Sequence, residues 1–205
     1  MKRIIAVLAA LLFGVVLAAC GKGISPDPAQ PAAAGSSFSA PDRPRMLVAY
    51  FSATGHTEQA AYSIQESLGT DLYEITPAVP YSAADLDYHN ESCRANAEQR
   101  DSSARPAIAG REEKLGEYDV IFLGYPIWWG KAPKVVYTFL ESYDFGNAVI
   151  VPFCTSGGSG IENSVKELQA LAPHARWAEG RRFESTPDRE EVLRWADSLG
   201  IRHGR

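Results

Sequence analysis

Three stretches of the 205-residue chain carry residue types suited to holding a ligand, and each directly follows an apolar run. The first, Ser52-Ala53-Thr54-Gly55-His56-Thr57, is small and hydroxyl-rich, and leads into Ala60, Ala61, Ile64 and Leu68 at the spacing of one helix face. A helix entered this way offers an anion its first N–H groups, which lack intrahelical partners, and the positive end of its dipole. Ser52, Thr54 and Thr57 add hydroxyl donors, and Gly55 lets the backbone come close or take a positive φ. The same residues suit a plain helix cap made by Ser52 or Thr54, so this stretch alone leaves phosphate binding and capping both open. The second stretch, Pro126-Ile127-Trp128-Trp129-Gly130, offers flat aromatic surface held between a proline and a glycine. The third, Thr155-Ser156-Gly157-Gly158-Ser159-Gly160, offers glycine-rich backbone able to hydrogen-bond the polar edge of a ring at close range.

The elements that must position these stretches follow from the apolar pattern. Residues 46–51, 120–124 and 148–154 are apolar almost throughout, as strands buried on both faces are. Leu72-Tyr73-Glu74-Ile75 reads as a further strand ended by Thr76-Pro77, and Arg176-Trp177-Ala178 opens a short last one. Between them lie amphipathic helices. One runs from about 133 to 142 with Val135, Val136, Phe139 and Leu140 inward; another carries Ile161, Val165, Leu168 and Leu171 on one stripe. Ser159 and Glu162 have capping-box spacing at the start of the latter. Thr186-Pro187 reads as the start of the last helix, an N-cap followed by proline, with Val192, Trp195, Ala196 and Leu199 inward. Such alternation predicts an α/β fold with a parallel sheet covered on both faces, whose ligand sites lie beyond the carboxyl ends of the strands. All three stretches then fall at one edge. Residues 81–106 form a long polar excursion, helical over about 85–100, in which Tyr81 and Tyr88 stand out; long loops in compact domains are often functional.

Composition bounds the rest. The chain is long enough for one domain with a full core, and 45% hydrophobic with 22% charged residues is ordinary for a globular protein. The formal net charge is −5, and without residues 1–19, which carry Lys2 and Arg3, 18 basic residues face 25 acidic ones. That acidity argues against nucleic acid as a partner. Lys2 and Arg3, the apolar residues 4–17 and Leu17-Ala18-Ala19-Cys20 form a basic, then apolar, then small-residue leader, too short to span a bilayer comfortably. Its last four residues resemble a bacterial lipobox, which implies cleavage before Cys20 and lipid on the Cys20 thiol. The protein is then expected in the bacterial cell envelope, exported and held to a membrane by that lipid, periplasmic or on the outer face. Residues 20–44, with Pro26, Pro28, Pro31, Pro41 and Pro44 among Ala, Ser and Gly, read as a tether, leaving 45–205 as the folded domain. Cys154 ends an apolar run and reads as a buried thiol, while export leaves a Cys93–Cys154 disulfide open. No His or Cys cluster has metal-ligand spacing.

Phosphate donors, an aromatic face and a backbone edge together suit a phosphorylated, planar, polar-edged molecule, for which FMN is the natural candidate. On these residues the chain resembles the flavodoxin-like family. Ser52-Ala53-Thr54-Gly55-His56-Thr57 matches the family's phosphate loop, Ser/Thr-x-Thr-Gly-x-Thr. Gly124-Tyr125-Pro126-Ile127-Trp128-Trp129-Gly130 is similar to the second flavin loop of a short-chain subgroup, and Phe153-Cys154-Thr155-Ser156-Gly157-Gly158-Ser159-Gly160 to its third. The resemblance runs from about Arg45 to the C-terminus. It implies a doubly wound, five-stranded parallel sheet of order 2-1-3-4-5, noncovalent FMN and electron transfer. By position, residues 52–57 would hold the phosphate, and 126–130 with 155–160 the isoalloxazine. No catalytic side chain is assigned, since the chemistry would be the flavin's. His56 stands at the variable position of the phosphate loop, either as a cation for the phosphate or as a solvated loop residue. Of two adjacent tryptophans one commonly packs into the core, and Trp128 is taken as the stacking partner. Tyr81 or Tyr88 either closes over the flavin or packs ordinarily.

Rival readings fail on particular residues. A Walker A loop does not fit, because Gly124 and Gly130 are one residue too far apart and Lys131 precedes Ala132. A phosphatase Cys-x5-Arg loop from Cys154 meets Gly160, and a nucleophile elbow at Ser159 meets Ile161. The functions left open are an electron-transferring FMN lipoprotein serving a redox partner protein, an FMN-dependent reductase of quinones or other small acceptors with the excursion as one pocket wall, and a flavin-free binding module.

Overall fold

Strand β1 (Met46–Tyr50) is buried at all five positions, because its alternate side chains feed two different cores. Leu47 and Ala49 pack on one face of the sheet and Met46, Val48 and Tyr50 on the other, which demands an unbroken apolar run. The computed structural model describes residues 43–201, so the leader, Cys20 and most of the tether lie outside the described residues. After β1 the chain forms α1 (His56–Leu68), β2 (Asp71–Glu74), β3 (Thr76–Pro77), α2 (Arg94–Arg100) and β4 (Ile108–Ala109). Then follow β5 (Val120–Pro126), α3 (Lys134–Ser142), β6 (Val149–Thr155), α4 (Glu162–Leu171), β7 (Arg176–Trp177), β8 (Arg181–Phe183) and α5 (Arg189–Ser198).

The main sheet is parallel and runs β2-β1-β5-β6, with β7 and β8 both on the outer edge of β6. Its five positions follow the expected order 2-1-3-4-5, but the fifth is filled by two short strands. Pro152 accounts for the break. The Ile150 carbonyl accepts from the Ala178 N–H at 2.9 Å, so positions of that parity face the edge strand. Pro152 shares the parity and has no N–H to offer. Accordingly β7 pairs with residues 149–150 and β8 with 153–155, on either side of it. Helices α1 and α5 cover one face through Ala60, Ile64, Val192 and Trp195, while α3 and α4 cover the other through Val135, Phe139 and Leu168, joined by Ile161 just ahead of α4.

Local corrections to the sequence reading have simple causes. The Ser159–Glu162 capping box does not form: α4 begins at Glu162 behind Ile161, which is buried, while Ser159 is exposed. Helix α5 begins two residues later than Thr186-Pro187 implies. The Asp188 carboxylate accepts from the Glu191 N–H at 2.8 Å and is the N-cap, whereas the Thr186 hydroxyl donates to Gln59 Oε1 on α1 at 3.0 Å. Cys93 and Cys154 are both buried free thiols, so the disulfide left open by the sequence is not formed. The excursion is helical only over α2. Ahead of it, Asp85 and Asn90 accept from the backbone and hydroxyls of Ser82 and Ser92 at 2.7–3.0 Å, which holds the chain in turns instead. At its neck β3 and β4 pair antiparallel, and Ala78 N–H donates to Ala107 O at 2.8 Å, closing the excursion into a loop with joined ends.

Candidate functional site

The first loop leaves β1 through Phe51 and closes where Ser52 Oγ accepts from the Gly55 N–H at 3.1 Å. Gly55 has φ 86°, a left-handed conformation that suits glycine, and it caps α1 without any side-chain hydrogen bond. Neither Ser52 nor Thr54 caps the helix, so the capping reading fails and the first-turn N–H groups of α1 are left to solvent or a ligand. Thr54 and His56 are exposed. Thr57 is buried, and its Oγ1 lies 2.8 Å from Thr155 Oγ1, which ties the first loop to the third.

The second loop is a tight hairpin: Trp128 N–H donates to Lys131 O at 2.8 Å, and Lys131 N–H to Trp128 O at 3.0 Å. Its two central residues, Trp129 and Gly130, have φ 51° and 73°, as a primed two-residue turn requires. Trp129 is the only non-glycine residue with positive φ among those described, a conformation costing about 1–2 kcal/mol for an L-residue. The turn separates the two tryptophans, with Trp128 lining both clefts of this edge and Trp129 only one. Trp128 packs inward, edge-on to Phe51 and Tyr81 with ring centroids 5.7 and 5.3 Å away. Trp129 is 66% exposed, and its indole N–H donates to Asn96 Oδ1 at 2.7 Å.

Asn96 belongs to α2, and so does Gln99, whose amide donates to Trp128 O at 2.9 Å and Ala132 O at 3.2 Å. The excursion is therefore docked on the tryptophan turn. Further in, the Arg94 guanidinium lies 4.1 Å from the Tyr81 ring centroid, donates to Val79 O at 2.8 Å and pairs with Glu98 at 2.7 Å. Tyr81 donates to Glu98, and burial first, then that carboxylate, hold its phenol well above the usual range. Tyr81 is thus a packing residue. Tyr88 is 63% exposed and lies against the His89 ring, tilted by 38° with centroids 4.1 Å apart.

The third loop leaves β6 at Thr155. Its backbone is braced by Ser156 Oγ, which accepts from Gly158 N–H at 3.2 Å, and by Arg182, which donates to Ser156 O at 3.2 Å. Gly157 and Gly158 are exposed, and a side-chain carbon at either would meet nothing within 4 Å. Beneath the loop, burial pushes the Cys154 thiol up to about 12, which keeps it neutral.

Two clefts open along this edge. One, of about 330 Å³, is polar and is lined by Thr54, His56, Pro126, Ile127, Trp128, Thr155, Ser156, Gly157, Glu184, Ser185 and Thr186. The other, of about 460 Å³, is mostly apolar and is lined by Ala53, Thr54, Leu86, Tyr88, Ala95, Asn96, Pro126, Ile127, Trp128 and Trp129. They share Thr54, Pro126, Ile127 and Trp128. Of the residues singled out by sequence, Ser52, Gly55, Thr57, Gly130, Gly158 and Gly160 lie in the three loops without lining either cleft. Sequence reasoning missed Asn96, Gln99, Leu86 and Ala95 on the excursion, Arg182 on β8, and Glu184 and Ser185 just after it. The length of the excursion was the only local signal for the first group. The Thr186-Pro187 helix signal concealed the second.

Comparison with known proteins agrees with this architecture. Residues 45–199 match the sequence profile of the family described as Flavodoxin. No curated protein matches the chain. A crystal structure from Bacteroides eggerthii DSM 20697, of a protein assigned as a flavoprotein, shares 44% identity at TM-score 0.75, covering 78% of this chain and 100% of that one. A similarly assigned protein from Bacteroides uniformis ATCC 8492 shares 45% identity at TM-score 0.72, covering 76% and 99%. The flavoprotein of Lactobacillus acidophilus NCFM, solved in complex with FMN, shares the fold at 24% identity and TM-score 0.59, covering 75% and 99%.

Proposed function

The chain belongs to the flavodoxin family, and from that premise we propose that it binds FMN noncovalently and transfers electrons at the bacterial cell envelope, anchored by lipid on Cys20. The observation that carries the cofactor reading is the polar cleft, which draws its lining from all three loops at the carboxyl edge of the sheet. The residues present fit FMN. The N-terminus of α1 has no side-chain cap, and the Thr54 hydroxyl stands exposed beside it, which suits a phosphate dianion. Pro126, Ile127 and Trp128 supply an apolar wall opposite Thr155, Ser156 and Gly157, whose backbone suits the polar edge of a ring.

Bound there, FMN would supply the redox chemistry, and the protein's part is to hold and tune it. Thr57 and Thr155 fix the spacing of the first and third loops through their shared hydroxyl bond. Arg182 holds the Ser156 carbonyl and so the start of the third loop. Glu184 lines the cleft and pairs with Arg182, so the strongest cation near the third loop is already partnered and leaves little net positive charge for the ring. That charge balance, with an acidic surface, favours the flavin's less negative oxidised form and a low potential. The electrons would pass to a redox partner protein or a small acceptor.

Calorimetric titration of the full chain with FMN tests the cofactor: one FMN per chain with flavin absorption is expected, and no uptake at tens of micromolar leaves a flavin-free binding domain. Fatty-acid labelling tests the anchor, with label on the native chain expected and loss of both label and membrane association in Cys20→Ala. An unlabelled native chain would sink the lipoprotein reading.

A further inference from the structure

Only one of the two clefts is built from all three loops. The apolar cleft takes no residue from the third loop and is closed instead by the excursion. On the reading proposed above, the flavin ring, which must meet the second and third loops together, takes the polar cleft. The geometry points to a second binding site beside it: the 460 Å³ apolar cleft accepts a planar, uncharged ring compound, held between Trp129, Tyr88 and Leu86.

Three observations support the site independently of its size. No acidic or basic side chain lines the cleft, so a charged ligand would lose its hydration without gaining a partner there. Two large aromatic side chains on its wall, Trp129 and Tyr88, are 66% and 63% exposed, an arrangement that leaves apolar surface uncovered. And that wall is held open. Trp129 keeps a left-handed backbone, and its indole is pinned by Asn96, itself 4% exposed. The Asn96 amide also donates to Tyr88 O at 3.0 Å and Asn90 O at 2.8 Å, so one buried side chain sets both aromatic walls. Thr54, exposed and shared by the two clefts, adds a hydroxyl group to the lining of both.

The test titrates the full chain, loaded with oxidised FMN and without an electron donor, with naphthoquinone as the probe and a naphthoquinone sulfonate as its charged control. One naphthoquinone per chain is expected to join the bound FMN, with the sulfonate weaker by about tenfold or more. Tyr88→Ser and Leu86→Asp should each weaken the probe about fivefold or more, while the FMN Kd stays within about twofold. Tyr88 is exposed, so its replacement leaves the fold intact even if Leu86→Asp does not. A probe that displaces FMN would show that the apolar cleft is the flavin's own seat; this overturns the second site and leaves FMN binding standing. Absence of probe binding, equal binding of the sulfonate, or binding that neither variant changes overturns it as well. A native chain that takes up no FMN overturns the proposed function, and the second site with it.

Discussion

Thr57→Val probes the phosphate end of the site. Thr57 lies in the first turn of α1, is 1% exposed, and shares a 2.8 Å hydroxyl contact with Thr155. Valine has nearly the same shape, so the substitution deletes a hydroxyl and little volume. For the fold, the loss is one neutral hydrogen bond worth about 0.5–1.5 kcal/mol. Thr155 is only half-buried and can turn to water, which keeps the cost near the low end. At about 2–4 °C per kcal/mol for a domain of this size, the melting temperature falls by about 1–6 °C. For FMN, the loss is a hydrogen bond to a charged group, about 1.5–3 kcal/mol, which is about 12- to 150-fold in Kd. Riboflavin, which has the ring but no phosphate, separates the two effects. Calorimetric titration of both chains with both ligands should show FMN weakened within that range and riboflavin changed by less than about threefold. Equal weakening of both ligands would mean that the hydroxyl only spaces the loops. No change for FMN would refute its assignment to the phosphate altogether.

Three further outcomes are expected. Gly124→Ala would bring a Cβ within 2.2 Å of the buried Phe153 ring, which packs among Phe183 and Trp195, and should cost about 1–3 kcal/mol; a lower urea midpoint at unchanged slope checks it, and Phe153→Leu on the same chain should recover part of the loss. Asp188→Ala removes the α5 cap and should cost about 0.5–2 kcal/mol, more than Thr186→Ala in the same urea titration, because only Asp188 bonds the helix backbone. The Cys154 thiol, raised from 9.0 to about 12 by burial, keeps its proton in the fold where the unfolded chain has lost it. Its contribution to stability is therefore full below pH 9 and falls as pH rises toward 12, and Cys154→Ala should flatten that decline by up to about 1.4 kcal/mol per pH unit. An unchanged slope in urea titrations across that range would refute it.

Much of the fold was legible because double burial leaves a plain signature. A strand covered on both faces has no polar position to spare, so 46–51, 120–124 and 148–154 could be read as β1, β5 and β6 from composition. Parallel pairing then put all three loops at one edge. Features that depend on one residue's parity or on a distant partner were not legible. Pro152 splits the fifth strand only because its missing N–H faces that edge, which requires knowing which carbonyls the edge strand meets. Ser159 and Glu162 have the right spacing for a cap, yet the pull of Ile161 into the core starts α4 too late for Ser159 to serve.

The pair Trp128-Trp129 shows where the boundary falls. Local sequence was enough to say that an aromatic turn follows the central strand, since Pro126 and Gly130 punctuate it and the apolar run before it must be buried. It could not say how the two indoles divide between the clefts. That was decided by the left-handed conformation at Trp129, by the hydrogen bond its indole donates to Asn96 and by the one Gln99 donates to Trp128 O, from partners about thirty residues earlier in the chain. The excursion has too weak an apolar face to announce its docking site, because hydrogen bonds to the tryptophan turn, rather than a hydrophobic stripe, seat its helix there. The chemistry of the three loops is thus a property of the sequence, while the shape of the clefts between them belongs to contacts that only the folded chain brings together.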